Sequence, residues 1–187
     1  MGERLFTAVV PPADVIDELA RWVEPRRDAE WRWTDPADWH VTLAFYADVE
    51  AWRYDELVER LTAATARTAG FRLGLRGVGC FGSAAAAHVL YAAVADPHGV
   101  LPDLAARCHT AATTAGIDVA RQRYHPHVTL ARRNRAVDAT RYLRALEALE
   151  TSPWHVSEVT LVQSFLGQGP RGTPRHEVRE RFGLTES

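Results

Sequence analysis

The chain has 187 residues, of which 47% are hydrophobic and 25% are charged, and its formal net charge is −2. This size and apolar content predict one folded domain with its own core, and they exclude a disordered chain. No apolar run reaches the ~18–20 residues that a membrane-spanning helix needs, and the first residues lack the features of a secretion signal, so we expect a cytoplasmic protein with no membrane partner.

The basic residues and the cysteines bear on two further classes of protein, nucleic-acid-binding proteins and disulfide-stabilised proteins. All 22 basic residues are arginine, a bias that is typical of a GC-rich bacterial genome. The net charge argues against a general nucleic-acid coat, although a local basic cleft can still hold a phosphate. Two cysteines, Cys80 and Cys108, are too few for a disulfide framework, and their apolar neighbours predict buried thiols.

Hydrophobic periodicity predicts alternating strands and helices along the whole chain. In chain order, we predict a strand at 4–12, a helix at 15–23, strands at 31–33 and 38–47, a helix at 48–70, strands at 71–76 and 88–95, a helix at 101–112 closed by a glycine at 116, a strand at 123–132, a helix at 138–149, and strands at 155–166 and 175–184. Asp48 is interpreted as the N-cap of the second helix. The pattern indicates an α+β or α/β class.

The tetrapeptide HVTL occurs twice, at 40–43 and at 127–130, each time within a predicted strand. Side chains alternate along a strand, so His40 and Thr42 share one face roughly 6.5–7 Å apart, while the valine and leucine point towards the core. The same holds for His127 and Thr129. Two such strands facing each other would offer two imidazoles and two hydroxyls to one ligand, and the repeat indicates two related halves.

This set of side chains suits the cleavage of a phosphodiester. Histidine has an ordinary pKa of about 6.5, so near neutral pH one ring can accept a proton while the other donates one. The threonine hydroxyls can donate hydrogen bonds to phosphate oxygens. A single HVTL would be read as ordinary strand sequence, but two identical copies favour a catalytic site formed by His40, His127, Thr42 and Thr129.

A zinc site is the alternative chemistry. His125 and His127 are separated by one residue on a predicted strand, which is one way to present two imidazoles to zinc. No carboxylate or cysteine adjoins either motif to supply a third ligand. We therefore expect no metal and no other cofactor.

These residues carry a resemblance to the two-histidine (2H) phosphoesterases, and within them to the RNA 2′,3′-cyclic phosphodiesterases, also known as 2′-5′ RNA ligases. The signature of that family is a pair of H-x-T-x motifs, matched by 40–43 and 127–130. The flanking segments RLFTAVVPP, RWTDPADWHVTLAF, YHPHVTLAR and VTLVQSFLGQG are similar to the family's opening strand, its two motif strands, and its closing strand and loop.

The resemblance implies an α+β fold, bilobed over 1–187 as a single domain, with two pseudo-symmetric antiparallel sheets flanked by helices around a central cleft. It implies metal-independent opening of a 2′,3′-cyclic phosphate on RNA ends or nucleotides to a 2′-phosphomonoester. We expect the protein to act as a monomer. Joining of RNA ends through 2′-5′ linkages is the related reaction. The alternative function is a nucleotide- or RNA-end-binding module that uses the same cleft without turnover.

The family pattern also assigns roles to individual residues. It implies His40 as the general acid and His127 as the general base. It implies Arg132 as a substrate-binding residue, but regular strand alternation places Arg132 on the face opposite His127 and favours Arg133, unless the strand bulges. His176 stands where the family pattern has tyrosine, a departure that concerns substrate fit more than chemistry.

Overall fold

The computed structural model describes residues 2–120 and 123–186. The strands are β1 (Glu3–Val9), β2 (Arg32–Trp33), β3 (Val41–Val49), β4 (Phe71–Ser83), β5 (Ala86–Ala95), β6 (His127–Val137), β7 (Trp154–Val156), β8 (Glu158–Phe165) and β9 (Arg175–Gly183). The α-helices are α1 (Ala13–Val23), α2 (Tyr54–Thr65), α3 (Val100–Thr114) and α4 (Thr140–Ala145).

The strands form two antiparallel halves that meet at the centre of the molecule. Their order is β7-β4-β5-β6-β3-β1-β8-β9, with the short β2 pairing with β6. One Cα pair, Val41 with Val128, joins β3 to β6 and so joins the two halves. The predicted α+β class with two antiparallel halves is confirmed, and the two halves are joined into one nine-stranded sheet.

The core lies on the helical side of this sheet. Val41, Leu43, Val128 and Leu130 of the two motifs are at most 5% exposed, as the alternation predicts, and they belong to one cluster with the buried faces of the helices. Cys108 of α3 is fully buried, and burial raises the pKa of its thiol to about 12. The buried-thiol prediction is confirmed for Cys108, whereas Cys80 is only half-buried.

The second helix differs from the prediction at both ends. Asp48 is not its N-cap, because β3 continues to Val49 and the Asp48 carboxylate accepts a hydrogen bond from the backbone N–H of Gly2. The helix ends at Thr65 rather than at residue 70. The following residues leave the helical path because the carbonyl of Thr68 accepts the N–H of Thr185, a contact that local periodicity does not reveal.

Over residues 2–120 and 123–186, no helix combines the length and the apolar character that crossing a bilayer requires.

Candidate active site

The two HVTL segments lie side by side at the junction of the halves. Since β3 and β6 are antiparallel and pair at Val41 and Val128, the register places His40 beside Thr129 and Thr42 beside His127. All four polar side chains are half-buried, and all four line one open cleft of about 1370 Å³. The structure therefore brings the predicted residues together; their catalytic role stays a prediction.

Both imidazoles are held by the same backbone contact. Nδ1 of His40 lies 2.7 Å from the carbonyl oxygen of Asp38, and Nδ1 of His127 lies 2.7 Å from that of His125. A carbonyl can only accept, so each Nδ1 carries the hydrogen and donates it. In the neutral ring this leaves Nε2 as the proton acceptor, and the same atom is the donor once the ring is charged.

Aromatic side chains pack against both catalytic candidates. The ring of Phe6 stacks on His40, with centroids 4.7 Å apart and an interplanar angle of 27°. Phe81 meets His127 edge to face at 4.9 Å, and Tyr91 lies 5.4 Å from it. These contacts restrict the rings to one orientation and remove water from one side of each.

Removal of water shifts the ionisation of both rings. Burial lowers the pKa of His40 to about 4, and the positive charges of His176, Arg132 and His127 act in the same direction. Burial also lowers the pKa of His127. In the free protein at neutral pH both rings are consequently neutral. An anion bound between them would raise both pKa values, because a neighbouring negative charge favours the charged imidazolium.

Each motif strand bulges at the same place. The identical segment is one residue longer than the motif, His-Val-Thr-Leu-Ala, and its leucine and alanine are both buried in each copy. In β3, Ala8 faces Thr42 while Thr7 faces Ala44, and in β6, Tyr91 faces Thr129 while Leu90 faces Ala131. One extra residue in each motif strand therefore shifts the side-chain alternation that follows.

The bulge in β6 changes the face on which the following arginine lies. It returns Arg132 to the face of Thr129, and its Nη2 lies 3.2 Å from Thr129 Oγ1. The bulge is the exception under which strand alternation does not favour Arg133 over Arg132, although Arg133 also lines the cleft. The sequence does contain a sign of this bulge. Ala131 directly follows Leu130, and two consecutive apolar residues after a strict alternation indicate an extra residue in the strand.

Phe45 occupies in the first copy the position that Arg132 has in the second. It is 38% exposed, lines the cleft, and lies under the guanidinium of Arg4 at 4.8 Å from the ring centroid. Of the other aromatic residues near the motifs, Trp31 and Tyr46 are buried in the core. Phe45 is thus an exposed ring that a ligand in the cleft can contact.

The cleft wall is rich in arginine although the chain is slightly acidic overall. Arg32 of β2 lies directly opposite Arg132 of β6 in the ladder, an arrangement that concentrates positive charge. The arginines that line the cleft are Arg4, Arg27, Arg32, Arg132, Arg133 and Arg135. Four carboxylates, Asp28, Glu30, Asp35 and Asp38, also line the cleft, so its six arginines leave an excess of positive charge that attracts anionic ligands.

A zinc site at His125 and His127 would need a third protein ligand. The rings of His125 and His127 have centroids 6.1 Å apart. Within the two described stretches of the chain, no three His, Cys, Asp or Glu side chains are grouped closely enough to hold a metal ion.

A family model described as the 2′-5′ RNA ligase superfamily matches residues 11–166. The chain belongs to this superfamily. Two relatives are both named RNA 2′,3′-cyclic phosphodiesterase. The one from Aeropyrum pernix is 33% identical over 171 residues, covering 89% of this chain and 93% of the relative. The one from Geobacillus stearothermophilus is 30% identical over 154 residues, covering 81% of this chain, which spans about half (47%) of that relative's length.

Solved structures of the superfamily have the same fold. Apo LigT from Escherichia coli matches with a TM-score of 0.79 and 26% identity over 98% of both chains. LigT in complex with 3′-AMP matches with a TM-score of 0.79 and 27% identity over the full length of both. The similarity in fold therefore extends beyond the motifs over nearly the whole chain.

Proposed function

We propose that this protein hydrolyses 2′,3′-cyclic phosphates on RNA ends or nucleotides to 2′-phosphomonoesters, with two histidines and no metal. The observation that carries the proposal is the convergence of His40 and His127 in one cleft, each ring fixed through Nδ1 and each accompanied by a threonine hydroxyl. The names of the superfamily relatives support the same substrate class.

In the proposed reaction, a water molecule attacks phosphorus while Nε2 of His127 removes its proton. The bond between phosphorus and O3′ breaks, and Nε2 of His40 donates a proton to the departing O3′. The products are a 2′-phosphomonoester and a free 3′-hydroxyl. Each proton transfer supplies roughly 10²–10⁴-fold in rate. His40 must gain its proton before this step, and the charge of the bound phosphate favours that gain.

Other side chains of the cleft bind the substrate in this proposal. Thr42 and Thr129 donate to the non-bridging phosphate oxygens, and Arg132 adds a guanidinium on the Thr129 side. Arg133 also lines the cleft and is a second guanidinium for the substrate in this proposal. Phe45 offers a face on which a nucleobase can stack, as single-stranded nucleic acids require.

The proposal treats residues 1–187 as one bilobed catalytic unit. Each half carries one of the two histidines, and the histidines meet where β3 pairs with β6. Neither half is therefore sufficient alone. We propose that the protein works as a cytoplasmic monomer on RNA ends or nucleotides.

Phosphorus NMR of the products tests the reaction directly. The protein is mixed with a 2′,3′-cyclic nucleotide and with a short RNA ending in a 2′,3′-cyclic phosphate, in the presence and absence of EDTA. We expect a 2′-phosphomonoester in both cases, at rates that EDTA leaves unchanged. A second RNA with a 5′-hydroxyl tests 2′-5′ joining in the same samples. A 3′-phosphomonoester, or activity abolished by EDTA, would contradict the proposed mechanism.

The lowered pKa values of both histidines favour a second candidate function. Because burial lowers the pKa of His40 to about 4, its ring carries no proton for a leaving group in the free protein at neutral pH. A binding module for nucleotides or RNA ends needs no such proton. Saturable binding with no product at any pH would support this function over catalysis.

A further inference from the structure

A third imidazole lies in the cleft beside His40. β9 carries His176 opposite Ser164 of β8, and both residues line the cleft. The His176 ring meets His40 edge to face, with centroids 5.6 Å apart and an interplanar angle of 83°. It also meets the edge of Phe6 at 5.2 Å, so the two imidazoles share one aromatic support.

Asp38 binds both imidazoles at once. Its backbone carbonyl accepts the Nδ1 hydrogen of His40 at 2.7 Å, and its carboxylate Oδ1 lies 3.1 Å from Nδ1 of His176. The side chains of His176 and Asp38 are 22% and 33% exposed. The carboxylate therefore fixes the Nδ1 side of His176 and leaves Nε2 for a ligand, the arrangement by which carboxylates orient functional histidines.

The charges around the pair are mostly positive. The charges that act on His40 belong to His176 of β9 and to Arg132 and His127 of β6, whereas its contact with Asp38 is to the backbone carbonyl. His176 faces Asp38 and His40, while its chain neighbours Arg175 and Glu177 project to the other side of β9 and bond to each other. A proton on His176 thus adds a cation on the side of His40 that faces the cleft.

We propose that Asp38 and His176 are part of the phosphate-binding apparatus. Asp38 orients both imidazoles, and His176 places a second protonatable ring against His40 where the anion binds. His176 faces the phosphate through Nε2, and its charge also acts on the proton of His40. The inference rests on the proposed function only for the identity of the ligand, a phosphate.

Two consequences follow from the geometry. In the empty cleft, a charged His176 opposes a proton on His40, because like charges at this distance repel. When a phosphate enters, its negative charge offsets His176 and allows His40 to gain the proton that the reaction uses. The contribution of His176 to phosphate binding should therefore depend on its own protonation.

The test compares His176→Asn with the wild-type protein and with His98→Asn, a control at an exposed histidine outside the cleft. Asparagine keeps a donor towards Asp38 and removes the titratable ring. The His40 ring resonances, assigned with His40→Asn, give its pKa by NMR, and titration with inorganic phosphate gives a dissociation constant at pH 5.5 and at pH 8.5. If the asparagine variant does not fold, His176→Gln replaces it.

We expect His176→Asn to raise the pKa of His40 and to weaken phosphate binding about 3- to 10-fold at pH 5.5, with little change at pH 8.5. His98→Asn should change neither quantity. The inference would be overturned if His176→Asn left both the pKa of His40 and the affinity for phosphate unchanged. Normal turnover in His176→Asn would then show that the proposed function survives. Phosphate binding that depends on His176, in a protein without turnover, would instead contradict only the proposed function.

Discussion

The two candidate catalytic imidazoles are held by backbone and aromatic contacts rather than by carboxylates. Carbonyl oxygens two residues upstream fix Nδ1 of His40 and of His127, and aromatic rings pack on their faces. A carbonyl orients a ring without adding a full negative charge, so burial dominates and the pKa of each histidine falls. These rings are consequently neutral until an anion arrives.

The lowered pKa of His40 predicts a specific loss of stability in acid. The ring has a pKa near 6.5 in an unfolded chain and about 4 in the folded protein. Between these pH values the unfolded state binds more protons, so the free energy of unfolding decreases as the pH falls. His40 contributes roughly 3 kcal/mol at most to this decrease.

Urea unfolding at pH 7.5 and pH 4.5 measures this contribution. In His40→Asn, the decrease in the free energy of unfolding between the two pH values should be smaller than in the wild-type protein. His98→Asn serves as the matched control. An equal decrease in the wild-type protein and in His40→Asn would show that His40 keeps its ordinary pKa.

The neighbouring arginines provide a matched pair for the binding site. Arg132→Gln should lower kcat/KM for a cyclic phosphate by about 10²–10³-fold, because it removes a charged donor beside Thr129. Arg133→Gln should change kcat/KM only a few-fold, since the bulge leaves Arg133, which also lines the cleft, on the strand face opposite Thr129. Steady-state kinetics of both variants check this, and a larger loss in Arg133→Gln would mean that the bulge does not set the binding face.

At the scale of single residues, the sequence predicts the repeated side chains of the site but not the residues that contact them. His40, Thr42, His127 and Thr129 follow from two identical segments and the period of a strand. The contact of His176 with Asp38 joins residues 138 positions apart, so no local pattern could reveal it. The face of Arg132 depended on a bulge that strict alternation does not anticipate.

At the scale of elements, the short helix α4 is joined to one wall of the cleft by hydrogen bonds and ion pairs. The hydroxyl of Tyr142, which is 3% exposed, lies 2.8 Å from the Glu30 carboxylate and also contacts Asp28. Arg141 bonds the same two carboxylates at 2.7–2.8 Å. Both acidic residues line the cleft. This network ties the loop before β2 to the segment after β6.

Removal of that hydroxyl should loosen the wall. Tyr142→Phe should lower the free energy of unfolding by about 1–3 kcal/mol, because a hydrogen bond to a charged group is lost at a buried position. Tyr54→Phe is the matched control, since the Tyr54 hydroxyl makes only a 3.4 Å contact with Glu180 near the surface. Urea unfolding measures both, and equal losses would contradict a structural role for the network.

Two helices end earlier in the structure than the sequence pattern predicts, and their ends show which boundaries the pattern does not determine. The helix predicted at 138–149 is confirmed only as Thr140–Ala145, and α2 stops at Thr65. In both cases the residues beyond the helix make tertiary hydrogen bonds, such as Thr151 N–H to the Leu75 carbonyl. Periodicity identified these helices, whereas contacts between distant segments decided where they end.

At the scale of the whole molecule, the two halves repeat more than a motif. Each supplies a strand with the same five residues, the same bulge and the same carbonyl contact to its histidine. The repeats then diverge, with Phe45 in one half where the other has Arg132. A symmetric pair of imidazoles thus lies in a cleft whose two sides differ, one with an aromatic ring and the other with a guanidinium.

The most direct test of this account measures turnover of a 2′,3′-cyclic phosphate by His40→Ala, His127→Ala and the double variant. If the two imidazoles act as one acid–base pair, each single variant should lose at least about 10²-fold in kcat, and the double variant should lose little more than the worse single variant. Circular dichroism confirms that the variants are folded. Near-normal turnover by the double variant would contradict the account.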